Sequence, residues 1–110
     1  GLDGCLFAFA IKEWKTIEER LKQSSFLQTD SRNFSRYMLG GAVEAEIDSI
    51  GRILVPDFLR ERANLKSKVA IVGVSSRVEI WNDKAWSEFK LGVDKQADSL
   101  AEKLGLLGVL

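Results

Sequence analysis

Val43-Glu44-Ala45-Glu46-Ile47-Asp48-Ser49-Ile50-Gly51-Arg52-Ile53-Leu54-Val55-Pro56 is the stretch from which the fold is read. Val43, Ala45 and Ile47 fall on one side; Glu44, Glu46 and Asp48 fall on the other. A period of two predicts a half-buried strand. Asp48 suits the first position of a tight turn and Gly51 the fourth. Ile53-Leu54-Val55 reads as the returning strand, because β-branched runs suit a pleated surface. Pro56 stops that strand and suits the first position of a helix, where its missing N–H is not needed. Phe58, Leu59 and Ala63 then give a short helical stripe, closed by Asn64, which tolerates a left-handed C-cap.

The turn places an acid and an arginine on either side of one tip. Asp48 is expected to accept turn N–H groups and to pair with Arg52, so that the guanidinium points in a fixed direction. Two readings of this pair stand side by side. One is a solvated surface pair of little energetic worth. The other is a rigid tip that offers a planar, permanently charged fork to a phosphate or a guanine.

Composition bounds the alternatives. The chain has 110 residues, enough for one domain with a core. Its 16 basic and 16 acidic side chains cancel, so it is not built to coat nucleic acid non-specifically. Any DNA binding must come from a local cluster or from several weak tips acting together. The sequence has no histidine, which excludes histidine bases, histidine-activated nucleophiles and histidine metal sites. Cys5 is the single cysteine. It fits a reducing compartment and reads as a small core residue of an apolar run. No run approaches the length of a membrane span and no basic leader precedes an apolar segment. A cytoplasmic protein without metal, cofactor or small-molecule substrate is expected.

Outward from the hairpin, Gly1-Leu2-Asp3-Gly4 reads as a turn and residues 5–10 as a buried strand. Trp14, Ile17 and Leu21 predict a helix over 12–22, with Glu18 and Lys22 paired on its outer face. A second helix is predicted over 30–39, capped by Thr29 or Asp30 and ended by Gly40-Gly41. Phe34, Tyr37 and Met38 form its apolar face. Arg32 and Arg36 share another face, which suits solvent, a neighbouring subunit or DNA phosphates. Residues 68–74 form a nearly continuous aliphatic run, predicted to be a buried central strand. Ser75-Ser76 turns the chain into an alternating strand over 77–81, with Val78 and Ile80 opposite Glu79 and Trp81. Asn82 or Asp83 caps a last helix. Trp86, Phe89, Val93, Ala97, Leu100 and Leu104 make one stripe along it, with Gly92 as a point of interruption. That stripe is not interleaved with basic residues, so it reads as packing surface rather than a base-stacking platform.

An offset of 72 sets Trp86 over Trp14, Gly73 over Gly1, Val78 over Leu6, Ile80 over Ala8, Trp81 over Phe9 and Lys84 over Lys12. Both copies read glycine, strand, polar break and Lys-x-Trp helix. That is the pattern of a duplicated module. The first copy's equivalent of the Asp48–Arg52 turn would precede Gly1, so about 30 residues of a first module are expected to be missing from this chain.

The stretch Glu46-Ile47-Asp48-Ser49-Ile50-Gly51-Arg52-Ile53-Leu54-Val55-Pro56-Asp57-Phe58-Leu59-Arg60 resembles the second half of the MraZ family, bacterial transcription regulators of the AbrB-like swapped-hairpin class. That family's hallmark is Asp-x-x-x-Arg, an aliphatic pair and proline, matched by Asp48, Arg52, Ile53, Leu54 and Pro56. Glu79-Ile80-Trp81 and Gly1-Leu2-Asp3-Gly4-Cys5-Leu6 extend the likeness over roughly residues 1–90. It implies an α+β fold: an AbrB-like swapped-hairpin β-barrel of two pseudo-two-fold modules, the first truncated, with flanking helices. The implied division is 1–25 for the end of the first module, 26–42 for a connecting helix, 43–90 for the second module and 91–110 for a helical tail.

The same resemblance implies a sequence-specific DNA-binding repressor, not an enzyme. It would act in the cytoplasm and nucleoid on the promoter of the division and cell-wall gene cluster. It would bind short direct repeats of double-stranded DNA as a homo-oligomeric ring, with no membrane partner. Arg52 is then the DNA contact and Asp48 its orienter, with Gly51 permitting close approach and Ser49 donating to a phosphate. An AbrB-like antitoxin that holds a partner through its last helix is the alternative. Glu44, Glu46 and Asp48 read as a solvated face rather than a catalytic acid pair.

Overall fold

β3 (Arg77–Asn82) is the strand on which the fold is assembled, because it pairs on both edges. The computed structural model describes residues 1–109; Leu110, the last residue of the expected tail, lies outside the described residues. The remaining elements are β1 (Leu6–Ala8), α1 (Ile11–Lys22), α2 (Thr29–Gly40), α3 (Asp57–Arg62), β2 (Val69–Val74) and α4 (Asp83–Leu106). They make a mixed α and β chain around a three-stranded antiparallel sheet of order β1-β3-β2.

The register of β1 on β3 bears on the repeat. Leu6 pairs with Ile80, Phe7 with Glu79 and Ala8 with Val78. At the offset of 72, Phe7 is the equivalent of Glu79, Leu6 of Val78 and Ala8 of Ile80. Leu6 therefore faces the equivalent of Ala8, Ala8 faces the equivalent of Leu6 and Phe7 faces its own equivalent, so a local two-fold axis passes between Phe7 and Glu79. The helices obey the same relation: α1 begins at Ile11 and α4 at Asp83. So do the aromatic contacts. Phe9 packs on Trp14 at 5.8 Å between centroids, and Trp81 packs on Trp86 at 5.3 Å. Phe89 completes the second cluster, 5.0 Å from Trp81.

The dyad is symmetric in backbone and asymmetric in chemistry. Where β1 places Phe7, β3 places Glu79, a carboxylate only 8% exposed. Its Oε2 accepts from Arg77 Nε at 2.9 Å and its Oε1 from Trp81 Nε1 at 3.0 Å. The Arg77 guanidinium also lies over the Phe7 ring, 4.7 Å from its centroid, so one cation serves both strands of the dyad. Residues 77, 79 and 81 share one face by strand alternation, which brings donor, acceptor and indole together. A buried charge costs less when paired and hydrogen-bonded, and here both oxygens are engaged. Among the described residues the buried apolar ones are Cys5, Leu6, Ala63 and Trp81. Burial, and then the nearby Glu79 carboxylate, push the Cys5 thiol above its usual pKa.

Several sequence expectations need correction. Residues 69–74 form an edge strand, not a central one. Alternate residues face out and Ile71 is 70% exposed. An aliphatic run is compatible with burial on both faces, but strand order is set by which neighbours are present, and β3 takes the middle. The strands expected at 43–47 and 53–55 are not formed as ladders. Apart from the half-buried Val55 their side chains lie exposed, Leu54 at 86%, and two isolated arms bury too little to fix an extended pair. Lys22 pairs with Glu19 at 3.3 Å rather than with Glu18. Thr29 is the first residue of α2, and Gln28, without a side-chain cap bond, precedes it. Gly92 does not interrupt α4, whose 24 residues are continuous.

Other expectations agree with the structure. Asp3 and Gly4 turn the chain with φ of 60° and 73°. Asn64 takes a left-handed φ of 51° after α3. Asn82 caps α4, its Oδ1 accepting from the Ala85 N–H at 2.9 Å. The same side chain donates from Nδ2 to the Asn64 carbonyl at 2.7 Å. One amide thus fastens the end of α3 to the start of α4.

Removing Glu79 leaves the Trp81 N–H without its acceptor. Glu79→Ala is expected to cost about 1–3 kcal/mol, and Glu79→Gln less, read as shifts of the urea midpoint. Asn82→Ala loses both the cap and the tie and should cost about 1–2 kcal/mol. Asn82→Asp keeps the cap and loses only the donor, so its midpoint should fall between that of Asn82→Ala and that of the unaltered chain.

Candidate nucleic-acid interface

The hairpin tip is built almost wholly by one carboxylate. Asp48 N–H donates to the Arg52 carbonyl at 2.9 Å, and Gly51 N–H donates to the Asp48 carbonyl at 3.0 Å. These two bonds enclose Ser49, Ile50 and Gly51 in a three-residue loop. Gly51 has φ +87°, the left-handed closing position of such loops. A Cβ at Gly51 would meet nothing within 4 Å, so the glycine is required by conformation and not by crowding.

Asp48 then divides its oxygens. Oδ1 accepts from the Ile50 N–H at 2.9 Å and from the Arg52 N–H at 2.8 Å. Oδ2 accepts from Arg52 Nε at 2.9 Å. The first oxygen fixes the backbone of the loop and the second fixes the plane of the guanidinium. The Arg52 backbone N–H, then the Arg52 side chain, then the Ile50 and Gly51 amides hold the Asp48 carboxyl below its ordinary 3.8. These gains favour the charged form of an acceptor.

The arrangement leaves Arg52 chemically available. Its side chain is 70% exposed, and among the described residues only Nε is committed. The two terminal nitrogens have no hydrogen-bond partner among the described residues, which leaves a fork suited to two parallel acceptors. Ser49 is exposed beside them, with no hydrogen-bond partner among the described residues. Asp48, Ser49, Gly51 and Arg52 are thus brought together on one projecting loop. The concave side of the hairpin is a cleft of about 450 Å³ lined by Glu46, Ile47, Asp48, Arg52, Ile53 and Leu54.

Arg32 and Arg36 lie elsewhere, on α2. Arg32 turns back to the Phe26 carbonyl at 2.8 Å and Thr29 Oγ1 at 3.3 Å, fastening the loop before its own helix. Arg36 donates to Asn33 Oδ1 at 3.0 Å. Both line a second cleft of about 300 Å³ between α1 and α2, together with Leu21, Phe26 and Leu39. Among the described residues, no group of acidic or cysteine side chains could hold a metal ion, and no helix is long and apolar enough to cross a membrane.

Sequence reasoning did not single out Ile50. It occupies the tip and is 74% exposed. The signal was present: an isoleucine stands where turns ordinarily carry glycine, asparagine, aspartate or serine.

Comparison with known proteins places residues 38–104 on the model of a family described as "MraZ: MraZ protein, putative antitoxin-like". A protein named "Transcriptional regulator MraZ" from Caldanaerobacter subterraneus subsp. tengcongensis is 47% identical over 104 residues, covering 94% of this chain and 73% of that protein. Its namesake from Acetivibrio thermocellus is 44% identical over 109 residues, covering 99% of this chain and 76% of its own length. Another, from Thermoanaerobacter pseudethanolicus, is 46% identical over the same span and covers equal shares.

A carboxyl whose pKa is lowered by folding stabilises the folded tip above its unfolded pKa and loses that effect as the pH falls through the lowered value. The loop is therefore expected to persist through the ordinary carboxylate range and to loosen only below 3.8. NMR titration of the Asp48 carboxyl, with the Ile50 and Arg52 amide shifts followed in parallel, checks this. All three should move together with a midpoint under 3.8. Asp48→Asn should remove the transition.

Proposed function

The chain belongs to the MraZ family, and we propose that it is a sequence-specific DNA-binding transcriptional regulator whose contact with the double helix is the 48–52 loop. The observation that carries this reading is the state of Arg52: held by Nε, without a partner for either terminal nitrogen among the described residues, and 70% exposed at the tip of the loop. A bidentate donor of this kind matches O6 and N7 of guanine in the major groove. Asp48 is the positioning residue, Gly51 closes the loop, and Ser49 donates to a neighbouring phosphate.

In this reading residues 43–90 are a complete AbrB-like module. The arms on either side of the tip supply strands to a swapped-hairpin barrel when a second hairpin lies against them. The apolar, exposed side chains of Val43, Ile47, Ile53 and Leu54 support that arrangement. Assembly into a ring presents several tips to direct repeats along one DNA. Because the chain has no net charge, affinity comes from that repetition rather than from a general electrostatic field. The regulatory outcome is repression at the promoter of the division and cell-wall gene cluster, in the cytoplasm at the nucleoid.

A second reading, an antitoxin that grips a partner through α4, is favoured by one observation. Leu100, Leu104 and Leu106 are exposed along the end of that helix, and Leu107 just beyond it. Co-purification of a stoichiometric small partner would support it.

The deciding experiment is a gel shift with the DNA immediately upstream of this reading frame. Arg52→Ala should abolish the shifted band while circular dichroism and the size of the oligomer stay unchanged. Arg52→Lys should bind more weakly than the unaltered chain and discriminate less between sequences, since an ammonium cannot make the bidentate contact. Undiminished binding by Arg52→Ala would refute the assignment.

A further inference from the structure

We propose that Ile50 is a specificity-determining residue that contacts the C5-methyl group of a thymine in the major groove, beside the base read by Arg52. The inference rests on the DNA-binding reading of the 48–52 loop and deepens it.

Exposed apolar side chains are common on protein surfaces, and many here need no special account. Ile50 differs from them in position. Ile47, Ile53 and Leu54 lie on the arms, where a strand laid alongside would cover them. The last backbone bond between the arms joins Asp48 and Arg52, and Ile50 projects beyond it. Strand pairing along either arm cannot reach past that bond. The 74% exposure of Ile50 therefore persists when the arms are covered.

Ile50 is also held still. Its N–H is bound to Asp48 Oδ1 at 2.9 Å, the same carboxylate that orients Arg52. A β-branched side chain has a restricted χ1, so little rotamer freedom remains to be lost on contact. The loop thus presents two side chains in fixed relation: a cationic fork and, two residues before it, a branched apolar cap. The chemistry of the cap selects its target. It carries no donor or acceptor for phosphate, sugar or the polar base edges. In the major groove the thymine methyl is the apolar feature that marks one base from the rest. Arg52 would read guanine while Ile50 reads thymine, and a single tip would specify adjacent bases of unlike chemistry.

The test compares thymine with uracil, which lacks only that methyl group. The full chain is titrated by fluorescence anisotropy against the DNA upstream of its reading frame, made once with thymine and once with uracil throughout. The unaltered chain is expected to bind the uracil fragment roughly fourfold more weakly for each tip engaged, the factor for one methyl-sized group left unburied. Ile50→Ala should bind both fragments alike, at about the affinity of the unaltered chain for uracil DNA, with its oligomer size unchanged. Arg52→Ala serves as the control for the loop. If the unaltered chain binds the two fragments equally while Arg52→Ala loses both, the DNA-binding reading stands and the role of Ile50 is refuted. If Ile50→Ala keeps the full thymine preference, the preference arises from DNA shape and the proposal is likewise overturned. A change of oligomer size in Ile50→Ala assigns the side chain to a subunit contact instead, which also overturns it. If neither fragment binds, or Arg52→Ala binds normally, the underlying reading fails and this inference falls with it.

Discussion

The pairing of Phe7 with Glu79 across β1 and β3 is the constraint on which the rest of the fold depends. It sets the register of the sheet and fixes the axis that relates the two Lys-x-Trp helices. It also explains why a carboxylate sits in the centre of a small core. A second Phe at that point would satisfy symmetry, but Arg77 would lose its carboxylate partner and the Trp81 indole its acceptor. Glu79 meets both needs, and the aliphatic stem and charged head of Arg77 close the group from the side of Phe7. Such a cluster adds little net stability over an apolar alternative, because desolvation opposes the attraction. Its consequence is directional. Arg77, Glu79 and Trp81 accept one arrangement, whereas interchangeable aliphatic side chains would tolerate a slipped strand. A slip by one residue would expose every side chain now facing inward.

From that centre, position is passed outward by short polar links. Asn82 fastens α3 to α4. Arg62 lies over the Tyr37 ring at 5.3 Å, joining α3 to the end of α2. Tyr37 in turn donates to the Gly1 carbonyl. The two ends of the 42–56 segment are therefore anchored, by α2 on one side and α3 on the other, although the segment itself forms no ladder. The hairpin is carried on two fastened ends, and its middle is organised by Asp48.

What could be read from the sequence was what is decided locally. The helices followed from stripes such as Trp14, Ile17 and Leu21 and from capping residues such as Asn82. The geometry of the tip followed because Asp48, Gly51 and Arg52 act within five residues of one another. The misreadings were non-local. Alternation over 43–47 shows that a face is suited to burial, but not that a covering strand exists in the same chain. The aliphatic run 69–74 suits a buried strand, but its place at the sheet edge depends on β1 and β3, which are distant in sequence. The burial of Glu79 was illegible for the same reason. It needs Arg77, Trp81 and Phe7 at once, and an acidic residue alternating in a strand ordinarily faces water. The Glu19–Lys22 pair marks a smaller limit, since spacings of three and four are equally available on a helix.

The separation between local and non-local order has a consequence for recognition. The tip takes its shape from bonds among residues 48–52, none of which requires a core, a covered arm or a second subunit. Its geometry is therefore set within the hairpin itself, before any assembly. Assembly can alter only the number of tips and the spacing between them. A chain with balanced charge gains little from long-range attraction to a polyanion, so under the proposed reading a single tip would bind weakly however well it is shaped. In the proposed DNA-binding reading, shape and number carry separate parts of the outcome: the loop would decide which bases are accepted, and the count of loops reaching one DNA would decide how long the complex lasts. In such a system a side chain at the tip changes preference among sequences, whereas one on the arms changes affinity for all of them together.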